Sequence, residues 1–314
     1  MSRHNYKISL ISAIYGVERY IEKFADSVLS QSYKEGIEFI FVNDGTKDAS
    51  MEILHGLIES KYSDLKEHIV IINQENMGLP AARRTGITRA TGEYILCADS
   101  DDWLETDAVE KIMAKADSTN ADIIYFDIVK EYGHKQSIKR EREYTADTRE
   151  LWIENIFNYR SHGYTVTKCF RRSLYTDNVI YTPKLGMHED IYLMSQIIYH
   201  ARSIVHLPEV LYHYRKDNEN AMCAADRNKR HIASSRNFLD LYYNYREELE
   251  NSPIKRVYSG IVLRAGWHSI IHKVDFYSEF PWLSEAIKGA RISTRYRTPI
   301  LLQIIVKLYT LLFK

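Results

Sequence analysis

Three carboxylates, Asp99, Asp101 and Asp102, fall within the stretch LCADSDDWL (96–104), directly after the apolar run YILCA. Carboxylates this close repel one another unless solvent, a proton or a cation intervenes. On extended chain, residues two apart point the same way, so Asp99 and Asp101 can converge on one ligand. Hard oxygen donors suit Mg2+ or Mn2+, and Mg2+ is typically held by one or two carboxylates plus substrate phosphates. The chemical reading is a divalent ion bridging Asp101 to a diphosphate, with Asp99 on the neighbouring ribose or on a metal-bound water. The plainer alternative is a solvated strand end, with Asp102 or Thr106 capping the next helix.

Two further acidic positions could join this chemistry. Asp44 closes the apolar segment IEFIFVND (37–44), a strand end where a carboxylate can accept hydrogen bonds. The sequence NDGT is equally suited to an Asx turn. Glu189 and Asp190, in HEDIYLMSQII (188–198), stand at an expected helix start, whose dipole favours an ionised carboxylate. Ordinary first-turn acids are the competing reading.

These residues need elements to position them. ISLISAI (8–14), IEFIFVND (37–44), HIVIINQ (68–74), EYILCADSD (93–101) and ADIIYFDIV (121–129) read as strands. Between them, 17–32, 50–62, 79–90 and 107–118 read as helices, the first placing Val17, Tyr20, Ile21, Phe24 and Val28 at helical spacing. This alternation implies βαβ units and a mainly parallel sheet flanked by helices. Such sheets bind ligands beyond the carboxyl ends of their strands. Asp44 and the Asp99 cluster lie at such ends and are expected on one rim. The charged run KQSIKREREY (135–144) reads as a solvated connection or mobile flap. Residues 164–215 are mixed, and the pattern from about 226 onward is helical.

Bulk properties exclude other classes. The 314 residues carry 42 Lys+Arg against 42 Asp+Glu, so charge gives no argument for nucleic acid. Cys97, Cys169 and Cys223 are too few and scattered for a disulfide framework or a cysteine zinc site, and a reducing compartment is the default. The N-terminal segment lacks the pattern of a signal peptide, and no apolar run reaches the ~20 residues that span a bilayer. The turn AIYGVERY lacks the glycine-rich loop of a dinucleotide-binding oxidoreductase or a sugar nucleotidyltransferase.

In their order along residues 6–218, the motifs resemble those of family 2 glycosyltransferases, which have the GT-A nucleotide-diphospho-sugar transferase fold. ISLISAIYGVERYI is similar to the family's first strand and turn, with Ala13 in place of a proline and Gly16 in place of an asparagine. FVNDGTKDAS (41–50) resembles its second motif, which maps the uracil contact to Asp44. NQENMGLPAARRTGI (73–87) matches an Asn-x-Gly-x-x-x-Ala-Arg pattern through Asn76, Gly78, Ala82 and Arg83. Asp99-Ser100-Asp101-Asp102-Trp103 matches the metal motif.

The resemblance implies nucleotide-sugar contacts at Ala13, Tyr15, Glu18, Asp44, Asn76, Arg83, Asp99 and Ser100, and a Mn2+ or Mg2+ at Asp101 and Asp99. It implies Asp190 as general base, inversion at the anomeric carbon, and accessory roles for Glu189, Lys168 and Arg215. Plainer readings stand beside these. Tyr15 can pack in the core, Arg83 can pair with Asp44 or Asp99 or lie on a helix surface, and Lys168 can make a structural salt bridge. His188 can meet metal or phosphate or be structural. The segment TKCFRRSLY (167–175) departs from the family pattern at Thr167 and Cys169. Arg215, and with it His213, is a candidate to cover the diphosphate with the polar loop that follows.

The implied activity is transfer of a hexose or N-acetylhexosamine from a UDP-sugar to a glycan or lipid-linked acceptor in surface polysaccharide synthesis. The alternatives are an inactive nucleotide-sugar-binding or scaffold protein of the same fold and, less favoured, a nucleotidyltransferase. A catalytic domain over 1–218 and a helical region over 219–314 are expected. Lys288–Lys314 contains no Asp or Glu, and in ILLQIIVKLYTLLFK (300–314) Gln303, Lys307, Thr310 and Lys314 form one narrow polar stripe. A helix lying on anionic lipid at the inner face of the cytoplasmic membrane fits this pattern. A helix docked on protein is the alternative.

Overall fold

The computed structural model describes residues 5–33, 36–133, 135–140, 149–158, 160–218, 226–249, 255–294, 296 and 298–314. Cys223, Arg295, Arg297 and residues 141–144 of the charged run fall outside them. The strands are β1 (Ile8–Ile14), β2 (Ile37–Asn43), β3 (Ile69–Asn73), β4 (Tyr94–Cys97), β5 (Trp103–Leu104), β6 (Ile123–Tyr132), β7 (Lys135–Lys139), β8 (Lys168–Arg171) and β9 (Ile204–Arg215). The helices are α1 (Ile21–Leu29), α2 (Ser50–Lys61), α3 (Leu79–Arg89), α4 (Ala108–Thr119), α5 (Arg149–Phe157), α6 (Ser173–Thr176), α7 (Glu189–His200), α8 (Arg227–Leu249), α9 (Lys255–His272), α10 (Phe276–Glu279), α11 (Leu283–Gly289) and α12 (Ile300–Phe313).

Among the described residues the strands form one sheet in the order β3-β2-β1-β4-β8-β6-β9-β5, with β7 on β6. The β3-β2-β1-β4 half is parallel, as the βαβ alternation predicts. The other half departs from the expected mainly parallel sheet. β8, which follows β6 in the chain, inserts between β4 and β6 and runs antiparallel to both. β6 and β9 pair in parallel, while β5 and β9 are antiparallel. Continuous burial along β1 and β2 reflects helices covering both faces. α3 sits tight on that half: a Cβ at Gly86 would lie 2.3 Å from Ile11 Cγ2.

The run expected as a solvated connection is in part a strand. β7 pairs with β6 from Tyr132↔Lys135 to Ile128↔Lys139, turning at Gly133 (φ +66°). Lys135 suits an edge strand, where charge discourages pairing with another chain. In β9 the register with β6 slips between Leu207 and Val210. Pro208, which cannot donate to the ladder, lies in that slip.

The chain divides into two units, and not at a single boundary near 218. The first comprises Met1–Ala146, Tyr164–Ile180 and His200–Glu219, and contains the whole sheet. The second comprises Asp147–Gly163, Tyr181–Tyr199 and Asn220–Lys314. Within the second, Leu239, Val262, Leu263, Phe276, Leu283, Ile287 and Val306 form the core.

The terminal helix turns its polar stripe inward, so the lysines expected to meet anionic lipid are held against protein instead. The polar stripe of α12 faces protein: Gln303 and Thr310 are fully buried. Gln303 accepts from Ser293 N–H (2.9 Å) and donates to the carbonyls of Ser293 (2.9 Å) and Thr298 (2.5 Å). Lys307 donates to Ala290 O (2.8 Å), Thr310 bonds Tyr277 (2.9 Å), and Lys314 pairs with Asp275 (3.3 Å). The stripe thus satisfies backbone groups of the preceding loop that burial would otherwise orphan. Gly266 of α9 lets α12 approach, since a Cβ there would meet Val306 at 2.6 Å. The apolar face, with Leu301, Leu308, Leu311, Leu312 and Phe313, is left exposed. No described helix is long and apolar enough to cross a membrane.

Candidate active site

The acidic loop grows from the end of β4. Ala98 N–H still donates to Ile11 O of β1 (2.9 Å), and then the chain leaves the sheet. Asp99 N–H donates to Tyr212 Oη (3.0 Å), and that hydroxyl donates to Asp102 Oδ2 (2.8 Å). Asp102 Oδ1 accepts the backbone N–H of Arg215 (2.7 Å). Asp102 is only 1% exposed, so it fastens the loop to β9. The reading of Asp102 or Thr106 as a helix cap fails, because Asp107 stands at the cap position of α4.

Asp99 and Asp101 are the carboxylates left to a ligand. Asp99 Oδ1 pairs with the buried Arg83 guanidinium (2.9 Å), while its side chain stays 31% exposed. Asp101 is half-buried, and its Oδ2 accepts from Asn218 Nδ2 (2.7 Å). Its carbonyl accepts from Arg215 Nε (2.9 Å). Ser100 donates to Ala13 O (2.7 Å), tying the loop to the end of β1. Arg83 thus takes Asp99, of the partners open to it, and Ala13 and Ser100 meet each other.

Asp44 occupies the next strand end and is 2% exposed. Its Oδ1 accepts from Gln74 Nε2 (2.7 Å) and Met77 N–H (2.9 Å), and its Oδ2 from Gly78 N–H (2.9 Å). Three protein donors therefore hold a carboxylate with about four acceptor sites. The turn role falls to Asn43, whose Oδ1 accepts from Thr46 N–H (3.0 Å). Gly45 (φ +70°) is required here, because a Cβ would lie 2.9 Å from Asn76 N. Asn76 is exposed. Tyr15, 55% exposed, is available to a ring and is not core. Glu18 accepts from Ala49 N–H (3.2 Å), and its own N–H donates to Asp48 (3.0 Å), joining the loops after β1 and β2.

Other predicted residues take structural positions. Lys168 is fully buried, donating to Tyr164 O and Thr167 Oγ1 (both 3.0 Å). His213 lies between Glu131 (2.8 Å) and Glu105 (2.7 Å) and stacks on Trp103, with centroids 4.8 Å apart. Lys23 Nζ sits 3.1 Å from the centroid of the same Trp103 ring, and the Arg215 guanidinium 5.1 Å. Sequence reading missed Tyr212, Asn218 and Lys23. Tyr212 was detectable only through the pairing of β9 with β5, which no local pattern encodes.

Asp190 and Glu189 belong to the second unit. They open α7, Glu189 buried and Asp190 half-buried, with Asp190 Oδ1 accepting the N–H of Ile191 (2.9 Å). His188, just before them, adopts φ +57°, uncommon for a residue with a Cβ. Its ring bonds Ser234 (2.7 Å) and stacks on Phe238, which anchors the turn that presents the acid pair.

Charge is concentrated in the acidic loop. Burial, and then Asp99, push the Asp101 carboxyl above its ordinary value. Burial, followed by Asp101 and Asp99, pushes Asp102 well above it. Burial, and then Asp102, raise the Tyr212 hydroxyl. Hard-oxygen donors under mutual repulsion, one partly exposed and one half-buried, fit a divalent cation. Asp99 and Asp101 are the residues that would hold it.

The mixed α/β sheet with an acidic loop at the rim of its parallel half has the GT-A fold. Residues 9–178 match glycosyl transferase family 2, and the chain belongs to that family. EpsH of Bacillus subtilis is 32% identical over 214 residues, covering 66% of this chain and 60% of that protein. The minor teichoic acid biosynthesis protein GgaB of Bacillus subtilis is 28% identical over 258 residues, covering 78% of this chain and 28% of that protein. The chain therefore spans less than two thirds of either relative. In fold, it aligns with S. aureus TarS 1-349 in complex with UDP-GlcNAc over 97% of this chain and 89% of that one, with a TM-score of 0.68 and 19% identity. Mannosyltransferase PcManGT from Pyrobaculum calidifontis, in complex with GDP-Man and Mn2+, aligns over 99% and 89%, with a TM-score of 0.57 and 14% identity.

The raised carboxyls have a consequence for stability. In the window from the unfolded Asp value near 3.9 up to the raised folded values, the folded chain binds more protons than the unfolded one. These two groups therefore remove stability as pH rises through that window, and the loss persists at neutral pH. Mn2+ should offset it: thermal denaturation at pH 7 is expected to show a higher midpoint with Mn2+, and the gain should vanish in Asp101→Asn. An equal gain in both proteins would place the cation elsewhere.

Proposed function

We propose that the protein is an inverting glycosyltransferase that moves a hexose or N-acetylhexosamine from a UDP-sugar to a hydroxyl of a glycan or lipid-linked acceptor in surface polysaccharide synthesis. The observation that carries this reading is the acidic loop: Asp99 and Asp101 open to a ligand, Asp102 and Arg83 fixing them. Membership of the family and the name of GgaB support the reaction class and the polymer. TarS solved with UDP-GlcNAc supports a uridine donor, and PcManGT solved with Mn2+ supports the metal.

Asp99 and Asp101 would hold Mn2+ or Mg2+, which would neutralise charge on the departing diphosphate. Tyr15 offers a face for the base, and Asp44 shapes its slot by holding residues 74–78 in place. Arg215, over the Tyr20 and Trp103 rings, adds positive charge beside the loop. Asp190 is the general base. It takes the proton of the acceptor hydroxyl as that oxygen bonds the anomeric carbon and the bond to the diphosphate oxygen breaks. Attack from the face opposite the leaving group inverts the centre. The N-terminal end of α7 favours the ionised form that this role needs.

α12 supports a membrane-face location. Its outward residues Leu301, Leu308, Leu311, Leu312 and Phe313 form an apolar surface on a chain segment without acids. Such a face suits the headgroup–acyl boundary, where lipid-linked acceptors are found. Its lysines are turned inward, so apolar burial supplies the attraction and anionic lipid adds little.

Release of UDP from a panel of sugar nucleotides tests the reaction. One UDP-sugar should be turned over with Mn2+, and Asp190→Asn should lower kcat by roughly 100- to 10,000-fold, the span of general-base contributions. Donor binding should persist in that variant. Wild-type turnover in Asp190→Asn would refute the base. Co-sedimentation with phosphatidylcholine vesicles tests the helix: the wild type should pellet and the double variant Leu308→Glu/Leu312→Glu should not. Equal partitioning of the two would refute membrane contact through α12.

A further inference from the structure

Away from the acidic loop, the second unit gathers three imidazoles. His268 and His272 lie four residues apart on one face of α9, and His231 meets them from α8. Their ligating nitrogens all fall within 4.8 Å of one another. His231 and His268 stack with centroids 4.9 Å apart, and His272 lies 5.5 Å from His268 and 5.7 Å from His231. None of these residues serves the transfer reaction proposed above.

We propose that His231, His268 and His272 form a binding site for a borderline divalent transition-metal ion, zinc being the fitting occupant, which clasps α8 to α9. Imidazole nitrogen is a preferred donor for zinc, and three such ligands leave a fourth position for water. The group also has the supporting contact that a metal-bound histidine needs. Ser235, one turn beyond His231 on α8, lies 2.7 Å from His268 Nδ1. That bond fixes the ring and leaves Nε2 to the ion. His272 Nε2 is buried without a hydrogen-bond partner among the described residues.

Ligation uses the neutral imidazole, so zinc binding is expected to weaken as pH falls. The nearby cation Arg264 donates to Phe157 O (3.1 Å) of α5. Its charge disfavours weakly held hard ions such as Mg2+, leaving ions that bond strongly to nitrogen. Zinc–nitrogen bonds of 2.0–2.1 Å bring ligand atoms to roughly 3.3 Å apart. Binding therefore turns the rings out of their parallel stack by a side-chain rotation.

The test uses the purified full chain, stripped of metal, in an Asp101→Asn background so that the acidic loop does not compete. Zinc titration by calorimetry is expected to show one ion per chain. His272→Gln and Ser235→Ala should each weaken it, the latter by on the order of 10- to 100-fold, the usual effect of removing a partner behind a ligand. Circular dichroism confirms that the variants fold. Co2+ in the unmutated site should give the visible bands of a low-coordinate nitrogen-ligated ion, a readout that needs no histidine variant. Zinc binding unchanged in His272→Gln, or Co2+ showing only the weak bands of a six-coordinate aquo ion, would overturn the site. Neither readout depends on transferase activity, so failure here leaves the proposed reaction untouched.

Discussion

The buried carboxylate of Asp102 sets the geometry on which the site depends. A strand end cannot by itself hold three acids at fixed positions, because their repulsion would splay the loop. Tyr212 and the Arg215 backbone supply two donors to Asp102, and the same Tyr212 hydroxyl accepts from Asp99 N–H. β4 and β9, distant in sequence, are thereby joined through one phenol. The cost of burying Asp102 falls on this contact, and the two neighbouring acids, oriented by Arg83 and Asn218, keep acceptor capacity for a ligand. Burial of Asp101 and Asp102, with repulsion from the neighbouring acids, also makes the loop a place where positive charge is favoured.

Around that contact the sheet acts as a frame. The parallel half brings the ends of β1, β2 and β4 to one rim, and side chains then stitch their loops together: Ser100 to Ala13, Arg83 to Asp99, Asp44 to residues 74–78. Gly86 lets α3, the helix that carries Arg83, lie close on Ile11. The residues that the family resemblance implies for nucleotide-sugar contact therefore cluster along one edge of the sheet. The acid pair Glu189–Asp190 is supported separately, by a strained His188 whose ring is held by Ser234 and Phe238.

Much of this was legible in the chain because it is local. Apolar runs ending in turns and acids mark β1 to β4, and the spacing of Asp99 and Asp101 marks their shared direction. Non-local pairing was not legible. Nothing in Lys168–Arg171 announces that β8 will insert between β4 and β6, or that this will bury Lys168 completely. Nor does Lys135–Lys139 look like a strand without its partner β6. Helical periodicity identified the two faces of α12 but not which one would turn inward. Gln303 reversed the ordinary expectation by satisfying the backbone of the loop before it. The spacing of His268 and His272 was visible in WHSIIH (267–272), yet His231 joins them only through the packing of α8 on α9.

If a cation held at Asp101 is what grips the diphosphate, then UDP affinity must depend on both. Calorimetric titration of UDP into the protein measures this directly. Affinity with Mn2+ should exceed that in chelator by at least tenfold, about 1.4 kcal/mol, and Asp101→Asn should erase the difference. UDP binding of equal strength in Mn2+ and in chelator, and indifferent to Asp101→Asn, would contradict the account.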